Sequence, residues 1–330
     1  MNDLPKRGWP RAILGLLLTL GLTIGGAHLF EPRPEPVQFN RKLLRSLTTQ
    51  KPELALIGDS MLLTRLASER LAKLSGLRVR SIAPQGSASA RWYLILKNFL
   101  LPLEPPPKFI IVFFRDTYII QPRYRTTGQY WKELEREMIG EEPVLQEKLF
   151  KAQTFLEYLG AFVDEQFPLG RHSEQLRKEL RSKVYRAVRG RGSYETFEEI
   201  IAKRFSIEKI RGDIGSDLPE QTIVEDFSDE IARSFVPEML RLSKERGVQL
   251  IFHRVKRRGR AAGNPDPPEV VQFLSQFRAY VTSAGGAVTD ESNDPRLTLD
   301  MYSDGDHLRR DRRNDYTKIF WEHLAPELRQ

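Results

Sequence analysis

The sequence predicts an α/β protein in which a parallel sheet carries helices on both faces. Two observations predict this class. Short apolar runs typical of buried strands alternate with segments of helical periodicity, and each strand is separated from the next by a helix. Strands joined in this way form βαβ units, which build parallel sheets. Sites in such sheets lie beyond the carboxyl ends of the strands, so functional side chains are expected there.

The predicted strands are five short segments: Leu54–Ile57, residues 79–83, Phe109–Phe114, residues 249–255 and residues 287–289. The predicted helices between and after them cover residues 63–74, 90–101, 229–246, 268–284 and 312–324. Gly76 is expected to end the first of these helices.

The alternation stops between residues 121 and 225. Apolar residues from Leu145 to Val163 step by four and three, which is typical of a coiled-coil-like seam on a long helix. A second apolar stripe follows, so a helical hairpin is predicted. We therefore expect an α/β domain of residues 50–120 and 226–330 with a helical insertion at 121–225. The insertion could cap a site or dock a partner, and the sequence favours neither.

The N-terminus predicts a membrane anchor. Residues 12–30 contain no Asp, Glu, Lys or Arg, and as a helix they span roughly 28 Å, close to the hydrocarbon thickness of a bilayer. Three basic residues precede them, which predicts that residues 1–11 lie in the cytoplasm. Residues 31–49 are expected to be a linker, with the main domain on the periplasmic side of the inner membrane. A cleaved signal peptide is the alternative, less favoured because the apolar run continues through Phe30.

Composition excludes several kinds of site. The chain has 330 residues and no cysteine, so disulfides, thiolate metal sites and a cysteine nucleophile are excluded. No metal or organic cofactor is expected. The net charge of +8 favours anionic partners, although a solvated basic surface explains it equally well. No nucleic-acid-binding motif is present, so nucleic acid is not expected as a partner.

Gly58-Asp59-Ser60 comes directly after the first predicted strand. A serine at the start of a helix can cap it by accepting a backbone N–H. It can also be a nucleophile presented at the edge of the sheet. Gly58 and Asp59 are expected to shape the turn. The sequence around this motif alone does not decide whether Ser60 is a helix cap or a nucleophile.

His307 supplies the second half of a possible catalytic pair. A nucleophilic serine needs a base to take its proton and an acceptor that orients the base. His307 lies in an Asp-x-x-His context between the last strand and the last helix. Asp304 is predicted to hold the imidazole Nδ1, which leaves Nε2 facing Ser60. Asp306 is the less favoured alternative to Asp304.

Together these motifs resemble the SGNH, or GDSL-like, hydrolase superfamily. The resemblance covers about residues 50–120 and 246–325 and rests on Gly58-Asp59-Ser60, Gly86 and the segment from Asp304 to His307. It implies a three-layer α/β/α sandwich with a flavodoxin-like parallel sheet and serine acyl transfer or ester hydrolysis. It also implies an oxyanion hole from the N–H groups of Ser60 and Gly86 and an Asn side chain after the third strand.

The sequence departs from that pattern after the third strand, where Arg115 stands in the place of the Asn. Arg115 could donate to an oxyanion, or it could be a structural ion-pair partner. Asp116, Lys256 and Arg257 follow strand ends and are candidates for substrate binding. A solvated loop is at least as good an explanation of the basic run at residues 256–260.

A membrane anchor joined to such a domain is similar to the proteins of alginate O-acetylation and teichoic acid D-alanyl transfer. This resemblance implies O-acylation, with O-acetylation favoured, of a cell-envelope polysaccharide, together with a membrane-bound O-acyltransferase partner. Two alternatives stay open. One is a non-catalytic scaffold or polysaccharide-binding protein with a degenerate site, and the other is a freestanding lipase-like esterase.

Overall fold

The computed structural model describes residues 39–150, 226–303 and 305–329. The sheet consists of five parallel strands in the order β2-β1-β3-β4-β5. They are β1 Leu54–Ile57, β2 Val79–Ile82, β3 Phe109–Phe114, β4 Gln249–Arg254 and β5 Ala287–Asp290. All five predicted strands are present, and the predicted parallel α/β architecture is confirmed within these residues.

Helices flank both faces of this sheet. Before β3 they are α1 Arg41–Gln50, α2 Ser60–Arg65, α3 Ser68–Ser75 and α4 Ser89–Ile95, which continues as a π-helix through Leu96–Leu100. Between β3 and β4 they are α5 Gln129–Glu135, α6 Pro143–Phe150, α7 Phe227–Arg233 and α8 Val236–Glu245. After β4 they are α9 Arg258–Ala261, α10 Pro268–Ser283 and α11 Arg313–Leu324.

Alternate residues of each strand point to opposite faces of the sheet. On β1, Ala55 and Ile57 join the core that α4, α8 and α10 cover. Leu54 and Leu56 join a second core, which α2, α3 and α11 cover. All four residues are fully buried, which explains why β1 is a continuous apolar run and does not alternate with polar residues.

The strand order creates a switch point between β1 and β3. From β1 the chain turns to β2 on one side and then returns to β3 on the other. In a doubly wound sheet of this order, the helices after these two strands leave on opposite faces, and a crevice forms beyond their carboxyl ends. The residues that follow β1 and β3, Ser60 and Arg115, therefore border the same crevice.

Two helices predicted as continuous are each split in two. The break between α2 and α3 comes at Leu66 and Ala67, where the Ala67 N–H donates to the Thr317 hydroxyl of α11 at 3.0 Å. The break between α7 and α8 comes at Ser234, whose hydroxyl accepts from the Val236 N–H at 3.2 Å. Both breaks depend on side chains whose role periodicity does not reveal.

The first part of the predicted insertion packs against the sheet. Leu134, Leu145 and Leu149 are buried in the same core as α4, so residues 129–149 complete one face of the domain. The rest of the predicted insertion and the predicted anchor at residues 12–30 lie outside the described residues. Within the described ranges, no helix is long and apolar enough to span a membrane.

A substitution at Gly286 tests how closely the helices pack against the sheet. A Cβ there would lie 2.6 Å from Leu240 Cδ2, 2.9 Å from Val281 Cγ1 and 3.1 Å from the Leu250 carbonyl oxygen. Because the carbonyl belongs to β4 and cannot move aside, we expect Gly286→Ala to lower the free energy of unfolding by about 1–3 kcal/mol. The midpoint of urea unfolding, followed by circular dichroism, measures the change.

Gly259→Ala is the matched control. A Cβ at Gly259 meets only Asn264 Nδ2, at an ordinary contact distance of 3.7 Å, and alanine favours the helical backbone of α9. This variant should unfold at the wild-type midpoint or slightly above it. If both variants lose the same stability, the close packing around Gly286 is not what limits substitution there.

Candidate active site

Asp59, and not Ser60, caps the helix after β1. The Asp59 carboxylate accepts from the Met61 N–H at 2.8 Å, and Ser60 is the first residue of α2. Gly58 allows this sharp turn because a Cβ there would lie 2.8 Å from Leu62 Cβ. The predicted turn-shaping residues thus position the serine and leave its hydroxyl available for another partner.

That partner is His307. Its Nε2 lies 2.9 Å from Ser60 Oγ, across 247 positions of sequence. His307 is in a loop that a β-bridge between Tyr302 and Leu308 closes, and the Ser303 N–H donates to the His307 carbonyl at 2.9 Å. The distance is within the range for a nucleophile and its base. Asp304 lies outside the described residues, so its role in orienting His307 stays a prediction.

Asp306 and Arg115 form an ion pair beside this loop. Arg115 Nη1 lies 2.9 Å from Asp306 Oδ2, and each side chain is 11% exposed. The Arg258 N–H donates to Asp306 Oδ1 at 2.8 Å. Burial alone would raise the pKa of Asp306, but Arg115 and the Arg258 N–H outweigh it and lower the pKa. Of the two roles considered for Arg115, the structure contains the ion pair, and its role as an oxyanion donor stays a prediction.

Gly86 lies in the loop after β2 with a φ of 67°, a conformation that glycine adopts readily. A Cβ there would lie 2.9 Å from Tyr130 Cε1. Ser87 fixes the loop to the end of β1, because its hydroxyl donates to the Gly58 carbonyl at 2.9 Å and accepts from the Trp92 indole N–H at 2.9 Å. Gly86 is therefore held beside the turn that carries Ser60, and its N–H remains a candidate oxyanion donor.

The structure corrects the predicted assignment of Asp116 and Lys256 to substrate binding. Asp116 is fully buried and accepts from Arg254 Nη2 at 3.1 Å, while Arg257 Nη1 lies 3.1 Å from its other oxygen. The Lys256 ammonium is also buried and donates to the Asp294 carbonyl at 2.8 Å, and burial lowers its pKa. Both are structural. Arg257 is partly exposed, so its contact with substrate stays a prediction.

The backbone N–H and carbonyl of Lys256 are the centre of a buried network. Its carbonyl accepts from Arg65 Nη2 at 2.9 Å and from the Tyr302 hydroxyl at 2.8 Å. Its N–H donates to Glu291 at 3.2 Å, and the Tyr316 hydroxyl donates to the same Glu291 oxygen at 2.9 Å. Burial raises the pKa of Tyr302 to about 12, so this hydroxyl is a donor at neutral pH.

This network joins the two halves of the site. Arg65 ends α2, the helix that Ser60 begins, and Tyr302 begins the loop that contains His307. Sequence reasoning missed Arg65, Glu291 and Tyr302. The one usable signal was Tyr302, which lies five positions before His307. An arginine on a helix and a glutamate after a strand are otherwise typical of exposed positions.

A small pocket is lined in part by the two residues that flank Ser60 in sequence. Its walls come from the two neighbours of Ser60, from the loops after β2 and β3, and from a segment that follows β3. They include Asp59, Met61, Ala88, Trp92, Arg115 and Ile119, together with the partly exposed residues Tyr124 and Arg125. The cavity has a volume of about 20 Å³, which is room for about one water-sized group. Within the described residues, no cluster of His, Asp and Glu could hold a metal ion.

No protein-family profile matches the sequence, and no curated protein matches it significantly. Solved structures do align with it. A candidate acylhydrolase from Bacteroides fragilis is 10% identical with a TM-score of 0.41, over 88% of this chain and 97% of that chain. A GDSL-like lipase from Bacteroides thetaiotaomicron is 9% identical with a TM-score of 0.38, over the same shares.

The Asp306→Asn variant tests the ion pair, because the stability that the pair contributes should depend on pH. The pKa of Asp306 is lower in the folded chain than in the unfolded chain, so the pair stabilises the fold above the unfolded pKa of about 3.9 and loses this effect as pH falls through the folded value. We expect the variant to be less stable than the wild type by about 1.5–3 kcal/mol at pH 7. The difference should narrow below about pH 4. Urea unfolding at several pH values measures it.

Asp311→Asn makes the same chemical change at an exposed ion pair with Arg309. Solvent screens that pair, so little effect is expected at any pH. A constant stability difference between Asp306→Asn and the wild type from pH 7 to pH 3 would contradict a charge-dependent role for Asp306.

Proposed function

We propose that this chain is a serine esterase or acyltransferase that transfers a short acyl group. The hydrogen bond of 2.9 Å between Ser60 Oγ and His307 Nε2 carries the proposal. A serine becomes nucleophilic when an imidazole accepts its proton. The site lies at the β1/β3 switch point, where ligands bind in sheets of this order.

The reaction proceeds in two balanced steps. Ser60 Oγ attacks the acyl carbonyl carbon while His307 Nε2 takes the hydroxyl proton, and His307 then gives this proton to the departing alcohol. Water or a second alcohol next attacks the acyl-serine, loses its proton to His307, and releases the acyl group as Ser60 regains its proton. The N–H groups of Ser60 and Gly86 are the proposed donors to the oxyanion.

The pocket beside Ser60 supports a short acyl group. Its inner wall is apolar, and Ala88, Trp92 and Ile119 in it are buried. A cavity of about 20 Å³ has room for about one water-sized group, which suits the methyl of an acetyl group better than a long alkyl chain. This size supports acetyl transfer over the lipase-like alternative.

We propose further that the acceptor or donor is a cell-envelope polysaccharide, and that the chain acts on the periplasmic side of the inner membrane with a membrane-bound O-acyltransferase. The apolar run at residues 12–30 and its preceding basic residues support the location. The net charge of +8 supports an anionic envelope partner.

Covalent labelling with a fluorophosphonate tests the nucleophile. We expect the wild-type chain to be labelled at Ser60 and Ser60→Ala not to be labelled. His307→Ala should be labelled about 10²–10⁴ times more slowly, because it lacks the general base. Mass spectrometry of the labelled peptide identifies the modified residue.

Ser283→Ala is the control for the labelling experiment, because Ser283 is exposed on α10 and its hydroxyl donates to the Tyr280 carbonyl. It should be labelled at the wild-type rate. Equal labelling of Ser60→Ala and the wild type, or no labelling of either, would contradict a nucleophilic Ser60.

The second candidate function is a non-catalytic scaffold for polysaccharide assembly. The Arg115–Asp306 ion pair favours it, because an Arg115 that is held by a carboxylate has less capacity to stabilise an oxyanion. Deletion of the protein from its cell, followed by complementation, separates the two functions. The proposed enzyme predicts that Ser60→Ala and His307→Ala do not restore O-acylation of the polymer, whereas a scaffold would keep wild-type acylation in both variants.

A further inference from the structure

Arg125 is a partly exposed residue in the lining of the pocket next to the turn that carries Ser60. The inner residues of the pocket are buried, whereas the Arg125 side chain is 25% exposed. The pocket has room for about one water-sized group, so most of a substrate lies outside it, where a partly exposed lining residue such as Arg125 can contact it. In the proposed reaction, the part outside the pocket is the alcohol.

Aromatic rings hold the Arg125 guanidinium. Its Cζ lies 4.9 Å from the centre of the Tyr124 ring and 6.0 Å from the centre of the Tyr130 ring, distances typical of cation–π contacts. The Tyr124 ring in turn packs against Tyr118 at 4.7 Å. These contacts fix the position of the cation without using its N–H donors.

Arg125 also differs from the other arginines at this edge of the sheet in its carboxylate contacts. Arg115, Arg254 and Arg257 each have a nitrogen within 3.1 Å of a carboxylate oxygen. The nearest carboxylate to Arg125 is Asp59, at 3.9 Å, which is beyond hydrogen-bond distance. Among the residues that the structure describes, Arg125 makes no hydrogen bond through its guanidinium.

The backbone at Arg125 has a φ of 58°. A residue with a side chain is strained in this region, where glycine is the usual choice. A turn that only needed this conformation would be more stable with glycine. The arginine is therefore placed here at a cost in stability, and such strained positions cluster at ligand-binding sites.

We propose that Arg125 binds an oxyanion, a carboxylate or a phosphate, on the alcohol portion of the ester. This inference rests on the proposed function, because it assigns the substrate class of that site. A guanidinium presents a planar set of donors that matches either oxyanion with two parallel hydrogen bonds. Asp59 repels an anion, so the oxyanion binds the edge of the guanidinium that is remote from Asp59. The substrate is then an acylated acidic sugar, and the alcohol of a neutral sugar ester is a poorer one.

The experiment compares three acetyl esters that share one sugar ring and differ at C6: the 2-O-acetyl derivatives of methyl glucuronoside, methyl glucoside and methyl glucoside 6-phosphate. The 330-residue chain is assayed for released acetate. We expect kcat/KM to be at least tenfold higher for an acidic ester than for the neutral one. The two acidic esters distinguish a carboxylate from a phosphate ligand.

Arg125→Gln removes the charge and keeps a side chain on the same strained backbone. It should lower kcat/KM for the preferred acidic ester by about 10- to 100-fold, the effect of one hydrogen-bonded charge pair, and leave the neutral ester within twofold. Arg136→Gln is the charge-matched control, because Arg136 is an exposed partner of Glu133 outside the pocket. It should keep the wild-type preference. Equal losses on acidic and neutral esters in Arg125→Gln would overturn the proposal.

Binding to Ser60→Ala separates this proposal from the proposed function. The Kd of each ester is measured by NMR titration of Ser60→Ala and of the double variant Ser60→Ala, Arg125→Gln. If the wild type releases no acetate from any ester, the proposed reaction fails for this substrate class, but a preference for an acidic ester that disappears with Arg125 still supports the subsite. If Ser60→Ala binds acidic and neutral esters equally, Arg125 is no oxyanion site, whatever the activity.

Discussion

The candidate site depends on hydrogen bonds to the backbone of one buried residue, Lys256. Its carbonyl binds Arg65 and Tyr302, and its N–H binds Glu291. Arg65 belongs to the helix that begins with Ser60, and Tyr302 belongs to the loop that contains His307. The Ser60–His307 distance is therefore set by two separate segments held at one point just beyond β4. If this point moved by 1 Å, Ser60 Oγ and His307 Nε2 would separate although neither residue had changed.

The charged groups in this network explain why one packing of the His307 loop is favoured. Arg65 is fully buried, and the rings of Tyr302 and Tyr316 lie 5.8 and 5.9 Å from its Cζ. Burial of this guanidinium would lower its pKa, but the neighbouring tyrosines and Glu291 outweigh that effect and raise it. Buried ion networks add little net stability, yet removal of one member leaves an uncompensated charge that costs about 3–5 kcal/mol. Alternative packings of the His307 loop would leave such a charge, so they are disfavoured.

The sequence predicted the strands and the Ser60–His307 pair because both depend on short-range patterns. A strand buried on both faces is a continuous apolar run, and the nucleophile and base each come with a recognisable local motif. It did not predict the roles of Asp116, Lys256 and Arg65, because their burial depends on partners that are far away in sequence. Lys256 was assigned to substrate binding because it follows β4, and the structure does place it just after β4. Its side chain does not have the expected orientation, because the ammonium donates to the Asp294 carbonyl. The break between α2 and α3 has the same origin, because Thr317 of α11 binds the Ala67 N–H.

The three residues of the turn Gly58-Asp59-Ser60 have different structural roles. Gly58 allows the close approach to Leu62, and Asp59 caps the helix through Met61. If Ser60 were the cap, its oxygen would be held by a backbone N–H and would be a poorer partner for His307. The second Asp59 oxygen lies 3.9 Å from Arg125 Nη1. One carboxylate thus caps the helix that begins with Ser60 and lies next to the cation that we assign to the substrate. Asp59, the residue that precedes Ser60, therefore lines the pocket and also lies next to the proposed oxyanion subsite.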